Sequence, residues 1–84
     1  MSVSVYVIQS QLDYRLYKGL AKDIHLRLKE HNSGKNFSTK PYKPWTLVFS
    51  QEFDDLKEAR RYEKYLKSGA GRKFLKMYLE KRKL

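Results

Sequence analysis

The chain contains no cysteine in its 84 residues. That absence removes disulfide staples, thiolate nucleophiles and cysteine-ligated zinc together, so the fold must be held by a hydrophobic core and hydrogen bonds alone. With 40% hydrophobic residues, residues 1–84 suffice for one domain and are too few for two. No window comes near the ~18 consecutive apolar residues that cross a bilayer, and the N-terminus lacks the basic start, apolar run and small-residue cleavage site of a secretory signal. A cytoplasmic protein without a membrane partner is expected.

Hydrophobic patterning predicts the order ββαβαα. Val3 to Ile8 is β-branched and apolar, Tyr14 to Lys18 alternates aromatic or aliphatic with basic residues, and Gln11, Leu12 and Asp13 between them make the pair a hairpin. After Gly19 the period becomes helical from Lys22 to Asn32, with Asn32, Ser33 and Gly34 as the stop. A polar loop containing Pro41 and Pro44 leads to a third strand, Trp45 to Gln51. Asp54 and Asp55 open a second helix that ends near Lys67, and Ser68 to Gly71 break it, with Gly69 and Gly71 read as a helix-to-helix turn. A last helix, Arg72 to about Lys81, carries Phe74, Leu75, Tyr78 and Leu79 on one face. The simplest packing that buries every apolar face is an α/β (α+β) fold in which a three-stranded antiparallel sheet is flanked by three helices.

Charge narrows the partner. Nineteen basic against nine acidic residues give a formal net charge of +10 at pH 7, and the excess is uneven: eleven basic and three acidic residues lie between Lys57 and Lys83. Such density, with seven tyrosines and one tryptophan in the chain, suits a polyanion whose counterions are released as Lys and Arg replace them. Nucleic acid is the expected partner. The plain alternative is a solvated basic surface that keeps the protein in solution. An anionic membrane fits worse, because no basic helix presents a large exposed apolar face.

Helical wheels single out three charged or titratable residues. On the first helix Leu20, Ala21, Ile24 and Leu28 mark the buried stripe; His31 falls inside it and Arg27, four residues earlier, on its border. The bland account is a snorkelling arginine and a satisfied, half-buried histidine. On the second helix Leu56, Ala59, Tyr62, Tyr65 and Leu66 mark the apolar side, and Glu63 falls between Leu56 and Ala59. A carboxylate there needs a cation, hydrogen bonds or a metal. Two accounts stay open, an internal salt bridge, with Arg27 as one partner for it, and a ligand for a hard divalent ion such as Mg²⁺. Antiparallel pairing can place Tyr6 and Tyr17 on one face near the start of the first helix. Two phenols, an arginine, a histidine and a carboxylate are the parts that phosphodiester cleavage requires. A ribonuclease built on His25 and His31 does not follow, since six residues put them about 120° apart around a helix.

The order and spacing of these residues resemble the GIY-YIG superfamily, which includes homing endonucleases, the N-terminal nuclease domain of the UvrC repair protein and small stand-alone bacterial proteins. Val5-Tyr6-Val7-Ile8 looks like the first motif and Leu16-Tyr17-Lys18-Gly19 like the second. Arg27 and His31, in Leu28-Lys29-Glu30-His31-Asn32-Ser33-Gly34, are similar to the helix that serves the active site. Lys57 to Lys67 looks like the helix bearing a single metal-binding glutamate, which falls on Glu63. The run Lys43-Pro44-Trp45-Thr46-Leu47-Val48 is typical of the stand-alone branch. Three features depart from the pattern: the first motif reads Val-Tyr-Val, Lys18 replaces the central isoleucine of the second, and Gly71 to Leu75 lacks a further asparagine.

The resemblance implies a metal-dependent endonuclease, a hydrolase of DNA phosphodiester bonds acting in repair or recombination with Mg²⁺ or Mn²⁺ as cofactor. Tyr17 or Tyr6 would activate or position the attacking water, Arg27 would stabilise the pentavalent phosphate, His31 would assist proton transfer or phosphate binding, and Glu63 would hold the metal. Lys18, Lys22, Lys73 and Lys76 are the expected nucleic-acid contacts. A protein partner or a homodimer stays open, and the alternative of another class is a non-catalytic nucleic-acid-binding module that keeps the fold.

Overall fold

The computed structural model describes residues 2–82. Strand β1 (Val3–Ser10), strand β2 (Leu16–Ala21), helix α1 (Ile24–Ser33), strand β3 (Trp45–Phe53), helix α2 (Leu56–Lys67) and helix α3 (Gly69–Arg82) follow one another, with a short 3-10 turn at Lys40–Tyr42. The sheet has the order β2-β1-β3 and both pairings are antiparallel. This is the expected α+β architecture in the expected order. Lys83, the last residue of the basic stretch, lies outside the described residues.

β1 is central because it is apolar on both faces. Val3, Val5 and Val7 pack with Ala59 and Leu66 of α2 and Leu75 of α3. Tyr6 and Ile8 point the other way and pack with Trp45 and Ala21, with Ile24 and Leu28 of α1 against them. One helix therefore covers one face and two cover the other. Val5, Val7, Ile8, Leu66 and Leu75 are wholly buried, and each such side chain contributes about 1.5–3 kcal/mol on removal from water.

A bulge in β3 decides which residues reach α1. Val7 pairs with Phe49, but Ile8 pairs with Leu47, so one residue is skipped between them. Without that extra residue Trp45 and Leu47 would share a face with Phe49. The skip turns them over, so that Val48, Phe49 and Phe53 stay with α2 and α3 while Leu47 and Trp45 join Tyr6 and Tyr17.

Several expected boundaries shift. β2 is Leu16–Ala21 and not Tyr14–Lys18. Tyr14 stands in the turn at a φ of 65°, and Leu20 and Ala21 belong to the sheet rather than to the stripe of α1. That helix begins at Ile24 because Asp23 caps it, accepting from the Leu26 amide at 3.0 Å. It ends where expected, on Gly34 in the left-handed region at φ 86°. Asp55 caps α2, and Leu56 and Tyr65, expected on its apolar side, are 49% and 40% exposed.

The joint between α2 and α3 is Ser68 alone, and both glycines lie inside α3. Gly69 has open space around its Cα, whereas a Cβ at Gly71 would overlap the Tyr65 carbonyl and the Leu66 Cα of α2. Gly71 is thus a packing residue, not a turn residue. Gly71→Ala should cost about 3 kcal/mol or more as the two helices are forced apart, read from the shift in urea midpoint; Gly69→Ala should be neutral or stabilising. Equal effects of the two substitutions would refute the close contact.

Candidate functional site

The site is built outward from β1. Tyr6 pairs with Gly19 and Ile8 with Tyr17, so the period of two puts both phenols on the α1 face, as expected from the hairpin. Their ring centroids lie 6.4 Å apart. Gly19 is required: a Cβ there would sit 2.6 Å from the Tyr6 hydroxyl oxygen and 2.7 Å from Cζ. The ring of Tyr6 occupies the space that a side chain on β2 would fill.

α1 closes over this pair with His31, which is 1% exposed. Its Nε2 is 2.9 Å from the Tyr6 hydroxyl and its Nδ1 is 2.8 Å from Thr39 Oγ1. The ring meets Tyr17 edge-on at 5.0 Å, and Trp45 meets Tyr17 similarly at 6.4 Å. Thr39 Oγ1 also donates to the Asn36 carbonyl at 3.4 Å. If that bond uses the threonine proton, Nδ1 must carry the imidazole proton and Nε2 must accept from Tyr6. Protons then point along one line, from Tyr6 to His31 to Thr39 to the backbone.

Thr39 is itself held. The Trp45 indole donates to its carbonyl at 3.0 Å, and Asn32 brackets the Trp45 backbone, donating to its carbonyl at 3.0 Å and accepting from its amide at 2.6 Å. No buried side-chain polar atom among the described residues lacks a partner. Sequence reasoning missed Thr39 and Asn32. Asn32 stood in the helix-stop signal, and Thr39 lay in a loop whose polar composition gave no reason to expect a fully buried hydroxyl.

The electrostatics separate the roles. Burial pushes the Tyr6 phenol up to about 12, with Tyr17, Glu63 and Glu30 adding to the rise and Arg27 opposing it. Tyr6 is therefore a neutral donor at physiological pH. Burial, reinforced by Arg27 and opposed by Glu30, holds His31 below its ordinary value. It too is neutral near pH 7, and both its nitrogens are engaged within the protein. The satisfied-histidine account of His31 thus holds for its hydrogen bonding.

Arg27 is exposed and forms an ion pair with Glu30 at 3.4 Å. It lies between two shallow depressions, one of about 230 Å³ bordered by His31 and Lys35 and one of about 310 Å³ bordered by Lys22 and Asp23. Glu63 has a side chain only 22% exposed and pairs with Lys67 at 3.4 Å, not with Arg27. Both acid and arginine act on the Tyr6 hydroxyl through space. Among the described residues no three His, Cys, Asp or Glu side chains gather as a metal cage. A single carboxylate nevertheless fits a hard Mg²⁺-like ion, which keeps most of its shell as water and substrate oxygens.

The expected nucleic-acid residues do not form one patch. Lys22 precedes the α1 cap and borders the Arg27 depression. Lys18 is half-buried on the opposite face of β2; burial, with Arg72 and Lys67 nearby, holds its ammonium below the ordinary range. Lys76 lines a cleft against the sheet, while Lys73 is exposed on α3. His25 is exposed and His31 buried, so the two face different surroundings as anticipated.

Two outcomes follow from the buried chain of hydroxyl and imidazole. Thr39→Val, which keeps the shape and strands Nδ1, should cost about 1–3 kcal/mol, and Thr39→Ser much less; equal stability of the valine variant in urea would refute the bond. The lowered His31 value means the unfolded chain takes up a proton near pH 6.5 that the folded chain binds only at lower pH. The His31 contribution is full above about pH 6.5 and is lost as pH falls toward the folded value. Stability measured in that window should drop more steeply for the parent than for His31→Gln, and matching slopes would contradict it.

The comparisons with known proteins agree with this arrangement. The GIY-YIG catalytic domain matches residues 2–76. The chain is 35% identical over 79 residues to the UPF0213 protein YazA of Bacillus subtilis, covering 93% of this chain and 78% of that one. It is 36% identical over 77 residues to the UPF0213 protein SSP2268 of Staphylococcus saprophyticus, covering 90% and 93%. The solution NMR structure of the UPF0213 protein BH0048 from Bacillus halodurans superposes with a TM-score of 0.55 at 32% identity, over 89% of this chain and 82% of that one. With the family's domain matched over most of the chain and relatives at 35% and 36% identity covered over most of their length, the chain belongs to the GIY-YIG family.

Proposed function

We propose that the protein is a metal-dependent endonuclease that hydrolyses DNA phosphodiester bonds beside Arg27. The observation that carries this reading is a pair of phenols beneath an exposed arginine: the rings of Tyr6 and Tyr17 lie 6.4 Å apart, Tyr6 is bonded to His31, and His31 and Arg27 border one depression. Titratable groups gathered about one buried hydroxyl are a pattern typical of reaction centres.

In this reading Tyr17, the half-buried phenol, hydrogen-bonds and orients the attacking water, whose proton passes to solvent water. Tyr6, held neutral, donates a hydrogen bond and is kept in place by His31. His31 then acts as a positioning residue, since both its nitrogens are occupied. Arg27 neutralises the charge that builds on the phosphate oxygens as the water oxygen bonds to phosphorus and the ester bond opens. Glu63 would hold Mg²⁺ or Mn²⁺, which supplies further positive charge to those oxygens. Lys67 shares that carboxylate and must yield part of it.

The direct test is incubation with branched, nicked and single-stranded DNA and with RNA, with and without Mg²⁺ or Mn²⁺. Arg27→Ala should lower cleavage about 10²–10³-fold. Glu63→Ala should abolish cleavage and the metal-dependent shifts of nearby resonances, yet change stability by no more than about 1 kcal/mol, because the Lys67 partner is an exposed one. Undiminished cleavage by Glu63→Ala would sink the metal assignment. Tight binding without turnover by the parent would favour the nucleic-acid-binding alternative. Replacing Lys73 and Lys76 with Gln should weaken binding across sequences and flatten its salt dependence, and an unchanged salt slope would remove both from the contact surface.

A further inference from the structure

The sheet face turned away from Tyr6 carries a second feature that cleavage chemistry does not use. Between α3 and the hairpin end of the sheet lies an open cleft of about 620 Å³, a volume suited to a small ligand. Leu16, Val48 and Leu79 supply its apolar wall and Arg72, Lys76 and Arg82 its charge. Glu80 is the one carboxylate among its lining residues.

Three properties of this cleft point to an anionic, aromatic ligand. First, none of the three cations forms an ion pair among the described residues, although Glu80 is near. Arg82 is instead turned inward, donating to the Val48 carbonyl. Secondly, the positive charge continues to Lys18 on β2, whose ammonium is disfavoured first by burial and then by the nearby Arg72 and Lys67. Lys67 is paired with Glu63, but Lys18 and Arg72 form no ion pair among the described residues, and an anion would relieve their repulsion. Thirdly, Tyr14 at the cleft is 68% exposed and sits at a φ of 65°, a region that costs a non-glycine residue about 1 kcal/mol or more. Its amide donates to the Ser10 carbonyl at 3.0 Å and its carbonyl accepts from the Gln9 side chain at 3.0 Å. A strained, anchored backbone therefore presents a ring that the core does not need.

We propose that this cleft binds a nucleotide, with the phosphate against Arg72 and Lys76 and the base stacked on Tyr14. Aromatic stacking beside a cationic groove is the general means of holding nucleotides without reading their sequence. The ligand is either one unit of a nucleic-acid strand or a free mononucleotide, which share this chemistry. The inference does not rest on turnover: the sheet separates the cleft from the Arg27 depressions, and the site would work in a protein that cuts nothing.

Two-dimensional NMR of the full chain, without metal, tests it by titration with thymidine monophosphate, with hexathymidylate and with inorganic phosphate. Both nucleotide probes, or hexathymidylate alone, should move amides of Gln9–Leu16, Thr46–Val48 and Arg72–Arg82. Shifts with the hexamer alone assign a strand; equal shifts with the monophosphate assign a free nucleotide. Tyr14→Ser should weaken nucleotide binding by roughly five- to a hundredfold and leave phosphate binding unchanged, whereas Arg72→Gln should weaken both. Both residues are exposed, and a retained spectrum confirms that each variant is folded. Shifts confined to Arg27, His31 and Glu63, or a Tyr14→Ser variant with full nucleotide affinity, would overturn the proposal while leaving the nuclease reading standing.

Discussion

The hydrogen bond between the Tyr6 hydroxyl and Nε2 of His31 joins the central strand to the helix that covers it, and the rest of the site is arranged around that bond. Both partners are almost wholly buried, so neither could lose the other without stranding a polar group in a dry interior. The bond requires the ring of Tyr6 to lie over β2, which Gly19 permits by having no side chain. It requires the far nitrogen of His31 to find Thr39, and Thr39 to be held by Trp45. Each requirement passes the constraint to a different element, so a loop and four secondary structures are fixed by one interaction chain.

That chain also settles what the buried groups can do. Burial keeps Tyr6 protonated and His31 neutral, which makes them good donors and acceptors and poor partners for a solvent-borne proton. The groups at or near the surface, Tyr17, Arg27 and Glu63, are the ones able to meet water and phosphate. A rigid neutral interior beneath a charged exterior is the arrangement expected where a reacting group must be positioned without reorganisation. The opposite face of the sheet is organised differently, by edge-to-face aromatics such as Phe49 and Phe74 and by the cleft cations Arg72, Lys76 and Arg82, which form no ion pair among the described residues.

Much of this was legible in the residues themselves. The apolar run of β1, the Asp55 cap of α2, the left-handed Gly34 stop and the inward position of His31 follow from local periodicity and capping chemistry, which depend on neighbours a few positions away. The hairpin placed Tyr6 and Tyr17 together for the same reason. Other expectations failed where the competing interaction was distant. Tyr14 carries strand propensity, yet the turn takes it, and Leu20 and Ala21 match a helical stripe but pair with β1. Gly71 reads as a turn until α2 is packed against it. Glu63 was compatible with a bridge to Arg27, and only the packing showed it turned to Lys67 instead.

The sequence by itself therefore determined the elements, their order and the charge, because these are properties of short stretches of chain. The tertiary structure alone decided three things: the β3 bulge that turns Trp45 toward the phenols, the burial of the Thr39 hydroxyl beneath His31, and the cleft that sets Tyr14 opposite α3. Each depends on contacts between residues far apart in the chain. No period of two or 3.6 residues encodes a skipped pairing or the partner of a buried hydroxyl; they arise when apolar faces close together and every polar group enclosed must find a bond.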